Sequence, residues 1–147
     1  MKIRIKISFV GYLLVALVES GNGIMYLLAS KIMPYHLTAM GSSWENLSPG
    51  IQIMSLNFMK AAGTGFLTTG IAMLFLLLIP FRKGEPWANW ALLIISLNEI
   101  LNIMLRTLEV SAKTSSNPPL FIPIITGTVV VISFLLSLGV NKNKRIS

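Results

Sequence analysis

Residues 51–79 read IQIMSLNFMKAAGTGFLTTGIAMLFLLLI, contain one charged side chain, Lys60, and are followed directly by Pro80. An α-helix rises about 1.5 Å per residue and the hydrocarbon core of a bilayer is about 30 Å thick, so roughly 20 apolar residues suffice to cross it. This segment exceeds that length. It therefore predicts a membrane-spanning helix that ends at the proline.

Apolar segments of similar length lie on both sides of it, at about residues 7–32, 86–109 and 120–140. Pro34 follows the first segment, and Pro86 opens the third, where proline is tolerated because the first helical N–H has no intrahelical partner. No segment alternates apolar and polar residues as a membrane strand does. The sequence predicts an all-α fold in one integral membrane domain over residues 1–147, a four-transmembrane-helix bundle.

The composition also indicates a membrane protein and argues against metal chemistry. Of 147 residues, 54% are hydrophobic and only 12% are charged, whereas soluble domains carry about 25% charged residues. The chain has no cysteine, which excludes disulfides and thiolate ligands. One histidine and five acidic residues, all glutamate, are a poor supply of metal ligands. We expect neither a metal nor a cofactor.

The basic residues lie at the ends of the apolar segments and predict the orientation of the bundle. Eight lie on one predicted side (Lys2, Arg4, Lys6, Arg82, Lys83, Lys142, Lys144 and Arg145) and two on the other (Lys31 and Lys113). The side rich in Lys and Arg is cytoplasmic in most membrane proteins, so both termini are expected there. This distribution accounts for the net charge of +7 without a nucleic-acid partner.

The beginning of the chain also fits a second interpretation. Basic residues before an apolar run are typical of a secretory signal peptide as well as of a first spanning helix. No A-x-A-like cleavage site follows the run, and apolar character resumes at residues 24–29. A retained first helix is therefore favoured, and cleavage would leave three spans.

Four charged side chains lie well inside the predicted spans, namely Glu19, Lys60, Glu99 and Arg106, although each costs about 2.5–3.5 kcal/mol on insertion scales. Residues three or four apart share a helix face, and such spacing gives each of the first three segments one polar stripe. The stripes are Glu19, Asn22 and Tyr26; Asn57, Lys60 and Thr64; and Glu99, Asn102, Arg106 and Glu109. We expect these three faces to meet inside the bundle.

Residue counting places all four charges between the membrane midplane and the outer face, beneath the loop at residues 33–50. The sequence thus predicts a polar pocket that opens outward. Its expected ligand-binding residues are Glu19, Asn22, Asn57, Lys60, Glu99, Asn102 and Arg106, and its expected gate or lid residues are His36 and Trp44. The alternative is structural, with the same side chains joining helices through hydrogen bonds and salt bridges.

Such a pocket predicts binding or transport of a small polar or amphipathic molecule, or of protons, from within the lipid bilayer of the plasma membrane. Lys60 and Arg106 would hold an anionic head group, and Glu19 or Glu99 would exchange a proton. One alternative is an accessory or assembly subunit, whose polar stripes join a second copy or another membrane protein. Another is a lipid-modifying, isomerase-like enzyme with two glutamates as acid and base.

Several short motifs lie between residues 33 and 91. They are Met33-Pro34-Tyr35-His36, Ser43-Trp44-Glu45, Ile79-Pro80-Phe81-Arg82-Lys83-Gly84-Glu85 and Trp87-Ala88-x-Trp90-Ala91. Together with Pro118-Pro119, they resemble a group of small, uncharacterised bacterial membrane proteins with four helices. In size and helix count the chain is more distantly similar to the DoxX-like and sterol-isomerase-like families. The resemblance implies four spans and a bacterial inner membrane, and it supplies no catalytic residues.

Overall fold

The computed structural model describes residues 3–138, and the regular structure within this range is entirely helical. The α-helices are α1 (Ile3–Leu28), α2 (Pro34–Met40), α3 (Pro49–Leu76), α4 (Pro86–Lys113) and α5 (Phe121–Leu138). A 3-10 turn covers Trp44–Asn46, and a π-helical turn at Leu77–Phe81 extends α3. The fold class is therefore all-α. Four basic residues used for the orientation (Lys2, Lys142, Lys144 and Arg145) and the predicted end of the last segment at 140 lie outside the described residues.

Three helical segments within residues 3–138 are long and apolar enough to cross a membrane, namely Pro49–Phe81, Pro86–Lys113 and Phe121–Leu138. Their surfaces expose large apolar side chains such as Phe75, at 63%, and Ile94, at 62%. Water would penalise so much exposed apolar surface, whereas lipid solvates it. These helices indicate a membrane-embedded protein. α1 is 26 residues long. That α1 also crosses the membrane, which would make four spans, stays a prediction.

The region between α1 and α3 differs from the sequence prediction. α1 ends at Leu28 rather than near residue 32. The residue before a proline disfavours the helical conformation. Met33 is accordingly extended, with φ −63° and ψ 148°, and Pro34 begins the seven-residue α2. This helix ends at Gly41, whose φ of 63° lies in the left-handed region that glycine adopts freely. The loop between α1 and α3 thus contains a short helix.

Pro80 does not end the second predicted segment as the sequence suggested. It lies inside the π-helical turn at Leu77–Phe81, because a widened turn tolerates a residue that has no N–H to donate. The chain then reverses through Gly84, with φ 78°, and α4 begins at Pro86. The long helix α3 and its continuation therefore reach one residue beyond the proline.

The four long helices form a ring. α1 packs along α3 and also against α5, α4 packs on α5, and a shorter contact joins α3 to α4. The buried core comprises Tyr12, Val15, Ala16, Met73, Leu77, Phe81, Ala88, Leu92, Ile100, Val130 and Phe134. Where α3 and α4 meet, the Ser96 hydroxyl donates to Met73 Sδ at 3.5 Å. Nearer to α2, a cavity lies between these two helices.

Small residues allow α1 and α3 to approach closely. A Cβ added at Gly23 would lie 2.6 Å from the backbone nitrogen of Leu67, and one at Gly63 would lie 2.7 Å from Tyr26 Cβ. Real side chains do not tolerate such separations, so glycine is required at both places. Close contact through small residues is typical of helices that pack within a bilayer. It fixes α1 against α3 along most of their length.

Candidate functional site

A cavity of about 720 Å³ lies between α2, α3 and α4. This volume falls within the roughly 300–1,000 Å³ of small-molecule sites, which are mostly apolar with a few polar groups. Apolar and aromatic side chains predominate on its walls, including Phe58, Met59, Phe66, Ile103 and Val110. The polar side chains on the walls are Tyr26, Tyr35, His36, Ser55, Glu99, Asn102, Arg106 and Thr107. The cavity therefore suits a small molecule with an apolar body.

The cavity exists because α3 carries little side-chain volume at this height. Ala62 and Gly65 lie on the wall, and a Cβ added at Gly65 would meet no atom within 4 Å. The bulky Phe58 and Phe66 also line the cavity, about one helical turn before and one turn after Ala62. Close packing of α3 against α4 is consequently absent in this part of the described structure.

The short helix α2 covers the end of the cavity remote from the Ser96–Met73 contact. Tyr35 and His36 line the cavity from this helix. The Tyr35 hydroxyl is hydrogen-bonded to the Tyr26 hydroxyl of α1, and the Ser116 hydroxyl donates to the Tyr35 carbonyl oxygen at 2.6 Å. Two hydrogen bonds from different parts of the chain thus hold α2 in place. In this position, burial raises the pKa of Tyr35 and lowers that of His36.

The rest of the loop between α1 and α3 is attached to α3 and lies away from the cavity. The Gln52 side-chain amide donates to the Trp44 carbonyl oxygen at 2.7 Å, and Lys31 Nζ donates to Glu45 Oε1 at 2.7 Å. The hydrogen bond from Lys31 lowers the pKa of Glu45. Trp44 is half-buried and is not part of the cavity wall. Of the two expected gate residues, the structure places only His36 at the cavity.

Two glutamates from different helices lie within electrostatic reach of each other, one of them on the cavity wall. Glu99, near the middle of α4, is on its wall, with Thr69 of α3 beside it. Glu19 of α1 is not on the wall, but its carboxyl group interacts electrostatically with that of Glu99. Glu19 is 3% exposed, and its Oε2 has no hydrogen-bond partner among residues 3–138. Neither acid belongs to an ion pair formed within that range.

The third polar stripe contributes most to the cavity. Glu99, Asn102 and Arg106 all lie on its wall, as the sequence predicts for one continuous face. Arg106 does not turn toward the acids, because its guanidinium donates to Glu109 Oε2 at 3.1 Å and its side chain is 76% exposed. Lys113 binds the same carboxylate at 2.7 Å. Arg106 is therefore joined to its own helix rather than to α1.

The other predicted ligand-binding residues are not on the cavity wall. Asn57 is exposed and Lys60 is half-buried, on a face of α3 different from the one that carries Phe58 and Phe66. Asn22 of α1 is half-buried and is likewise not on the wall. The cavity lies on another side of α3, so the stripe that carries Lys60 does not line it. The acids of the stripes on α1 and α4, Glu19 and Glu99, are within electrostatic reach of each other. The stripe on α3, which carries Lys60, lies apart from the cavity.

Sequence reasoning overlooked the apolar part of the site. Phe58 and Phe66 are eight residues apart, a spacing that places both on one face of a helix. In a membrane segment, however, an aromatic side chain that faces a cavity has the same pattern as one that faces lipid. Tyr35 was overlooked because α2 itself was not predicted.

Comparison with protein-family models, curated proteins and solved structures gives no match to this chain.

Proposed function

We propose that the protein is a multi-pass membrane protein that binds or transports a small amphipathic molecule in the cavity between α3 and α4. The observation that carries this proposal is the 720 Å³ cavity, whose mostly apolar wall includes the carboxyl group of Glu99. In the proposed arrangement α1, α3, α4 and α5 all cross the inner membrane of a bacterium. Both termini are then cytoplasmic, and α2 lies at the outer surface.

The position of the opening supports an amphipathic ligand. Phe58 is 67% exposed although it lines the cavity, and Gly65 has open space before it. The cavity therefore opens sideways along the seam between α3 and α4. Both helices belong to candidate membrane spans, so this seam faces hydrocarbon in a bilayer. A molecule that partitions into lipid could enter without leaving the membrane.

A lipid-modifying enzyme is a weaker proposal for the same residues. General acid–base chemistry requires both catalytic groups within hydrogen-bonding reach of the substrate. Glu99 is on the cavity wall and Glu19 is not, so only one carboxyl group faces a bound molecule directly. This arrangement favours binding over an acid–base pair.

Native mass spectrometry of the purified protein tests the proposal. We expect a retained small molecule on the full chain and its loss from Gly65→Phe, because the new ring would occupy the cavity. Gly21→Phe is the matched control: Gly21 is also helical and also has no atom within 4 Å of an added Cβ, yet it does not line the cavity. Equal retention by both variants would contradict binding in the cavity. A stoichiometric partner protein in place of a small molecule would instead favour an accessory subunit.

A further inference from the structure

We infer that the cavity selects cations: the carboxyl group of Glu99 on the cavity wall, with that of Glu19 buried behind it, attracts the positive head of an organic cation with an apolar body. The inference rests on the proposed function and specifies the charge of the ligand. It depends on where the acids, the bases and the aromatic rings of the described residues lie.

Within residues 3–138 neither of the two acids has a basic side chain as an ion-pair partner. Glu19 is 3% exposed, and buried charged groups in proteins are normally paired. Its Oε2 has no hydrogen-bond partner within the described part of the chain, which is uncommon for a buried polar atom. Glu99 adds a second carboxyl group within electrostatic reach and exposes it to the cavity. A bound cation would supply the opposite charge that the described helices do not provide, and would favour the ionised form of these acids.

The basic side chains do not favour binding of an anion in the part of the cavity near Glu99. Arg106 is the one Lys or Arg among the cavity-lining residues of the described chain, and it binds Glu109 at 3.1 Å. Lys60, the other residue expected to hold an anionic head group, is not on the wall. Near Glu99 the cavity is therefore acidic, and its basic group lies about two helical turns away on α4.

The walls favour an organic cation over a small inorganic ion. Tyr26 and Phe66 both line the cavity, with ring centroids 5.5 Å apart in an edge-to-face arrangement. Aromatic faces attract cations, most strongly where water is excluded. A metal ion would require a shell of oxygen ligands at short distances, which a mostly apolar space of 720 Å³ does not provide. An ammonium or phosphonium group with apolar substituents fits both the acids and the walls.

Two probes of the same shape and opposite charge test this inference, tetraphenylphosphonium and tetraphenylborate. Equilibrium binding of each is measured to the full chain in lipid nanodiscs, with protein-free nanodiscs subtracted for partitioning into lipid. We expect saturable binding of the cation and none of the anion. Glu99→Gln and Glu19→Gln should each weaken cation binding by at least about tenfold, because each removes an acid whose attraction for a cation is only weakly screened in a partly dehydrated site.

Glu45→Gln is the matched control, since Glu45 carries an exposed carboxylate that binds Lys31 and is not on the cavity wall. It should leave the affinity for tetraphenylphosphonium unchanged. Monodisperse elution and helical circular dichroism show whether each variant is folded. If Glu19→Gln does not fold, Glu99→Gln carries the test, because Glu99 is only half-buried.

The results separate the inference from the proposed function. Equal binding of both probes, lost together in Gly65→Phe, would overturn the cation site and leave the cavity as a binding site. Unchanged cation affinity in a folded Glu99→Gln would also overturn it. Absence of binding by either probe, together with no retained molecule in native mass spectrometry, would contradict the proposed function itself.

Discussion

The carboxyl group of Glu19, buried on α1, lies within electrostatic reach of the carboxyl group of Glu99 on α4. Glu99 connects this pair to the cavity, and α3 lies against both helices. The position of Glu19 depends on how closely α1 approaches α3. Next to it in sequence, the Ser20 backbone nitrogen would lie 2.8 Å from a Cβ added at Gly70.

Substitution of Gly70 tests this close approach. In Gly70→Ala the added methyl group would also lie 2.9 Å from the Ala16 carbonyl oxygen, so α1 must move away from α3. Overpacking of this kind costs about 1–3 kcal/mol of the free energy of unfolding. Thermal unfolding in detergent, followed by circular dichroism, should show a lower midpoint.

Gly65→Ala is the control for that substitution, because a Cβ at Gly65 meets no atom within 4 Å. Alanine is a better helix former than glycine by about 1 kcal/mol, so this variant should be as stable as the natural chain or more stable. If the two variants unfolded at the same temperature, α1 and α3 would not be in the contact described.

Sequence patterns predicted the helices well and their relative rotations poorly. Length and hydropathy identify α3, α4 and α5 as spanning helices, and Pro86 indicates where α4 begins. Glu99, Asn102 and Arg106 share a face in sequence and also at the cavity. The spacing of Lys60 is equally regular, yet its face is not at the cavity. Spacing defines which residues share a face, but packing between helices decides where that face points.

The ion pairs show the same limit. The sequence predicts that Arg106 faces the interior and holds an anionic head group, but Glu109 lies one turn away on α4 and binds it at 3.1 Å. A partner on the same helix needs no particular tertiary arrangement. α2 was missed for a related reason: a seven-residue helix is too short to show a periodic pattern, and hydrogen bonds to Tyr26 and Ser116 hold it.

Removal of one of those hydrogen bonds should loosen α2. Tyr35→Phe deletes the hydroxyl that pairs with Tyr26, at a net cost of about 0.5–1.5 kcal/mol. The backbone amides of α2 should then exchange with deuterium roughly two- to tenfold faster. Tyr12→Phe is the control, because the Tyr12 hydroxyl donates to Asn89 Oδ1 at 3.1 Å in another part of the bundle. Equal effects of the two variants on α2 would argue against a specific Tyr26–Tyr35 tether.

Acid should also loosen α2, through His36. Burial lowers the pKa of His36 below its ordinary value of 6.5, so the closed helix favours the neutral ring. As the pH falls below about 6.5, the open form takes up the proton first, and the closed form loses stability until the lowered pKa is reached. Exchange of α2 amides, corrected for intrinsic rates, should increase between about pH 7.5 and pH 5.5. His36→Gln should abolish the increase, and a pH dependence that persists in this variant would exclude His36 as its source.

The orientation of the bundle can be tested by labelling introduced cysteines, because the natural chain has none. With a membrane-impermeant maleimide on intact cells, Ser43→Cys in the outer loop should react. Lys83→Cys, between α3 and α4, should react only after lysis. Lys6→Cys should behave like Lys83→Cys if α1 crosses the membrane. Reaction of Lys6→Cys in intact cells would contradict four spans.

Protection of an introduced cysteine tests most directly whether the cavity beneath α2 holds a ligand, because a bound molecule would shield the thiol from a labelling reagent. Ala39 lines the cavity, whereas Ser43, four residues later, is exposed and does not. Maleimide labelling rates are compared for Ala39→Cys and Ser43→Cys, each with and without saturating tetraphenylphosphonium. We expect tetraphenylphosphonium to slow labelling at Ala39→Cys alone. Labelling that is unchanged at both positions, or slowed equally at both, would contradict binding in this cavity.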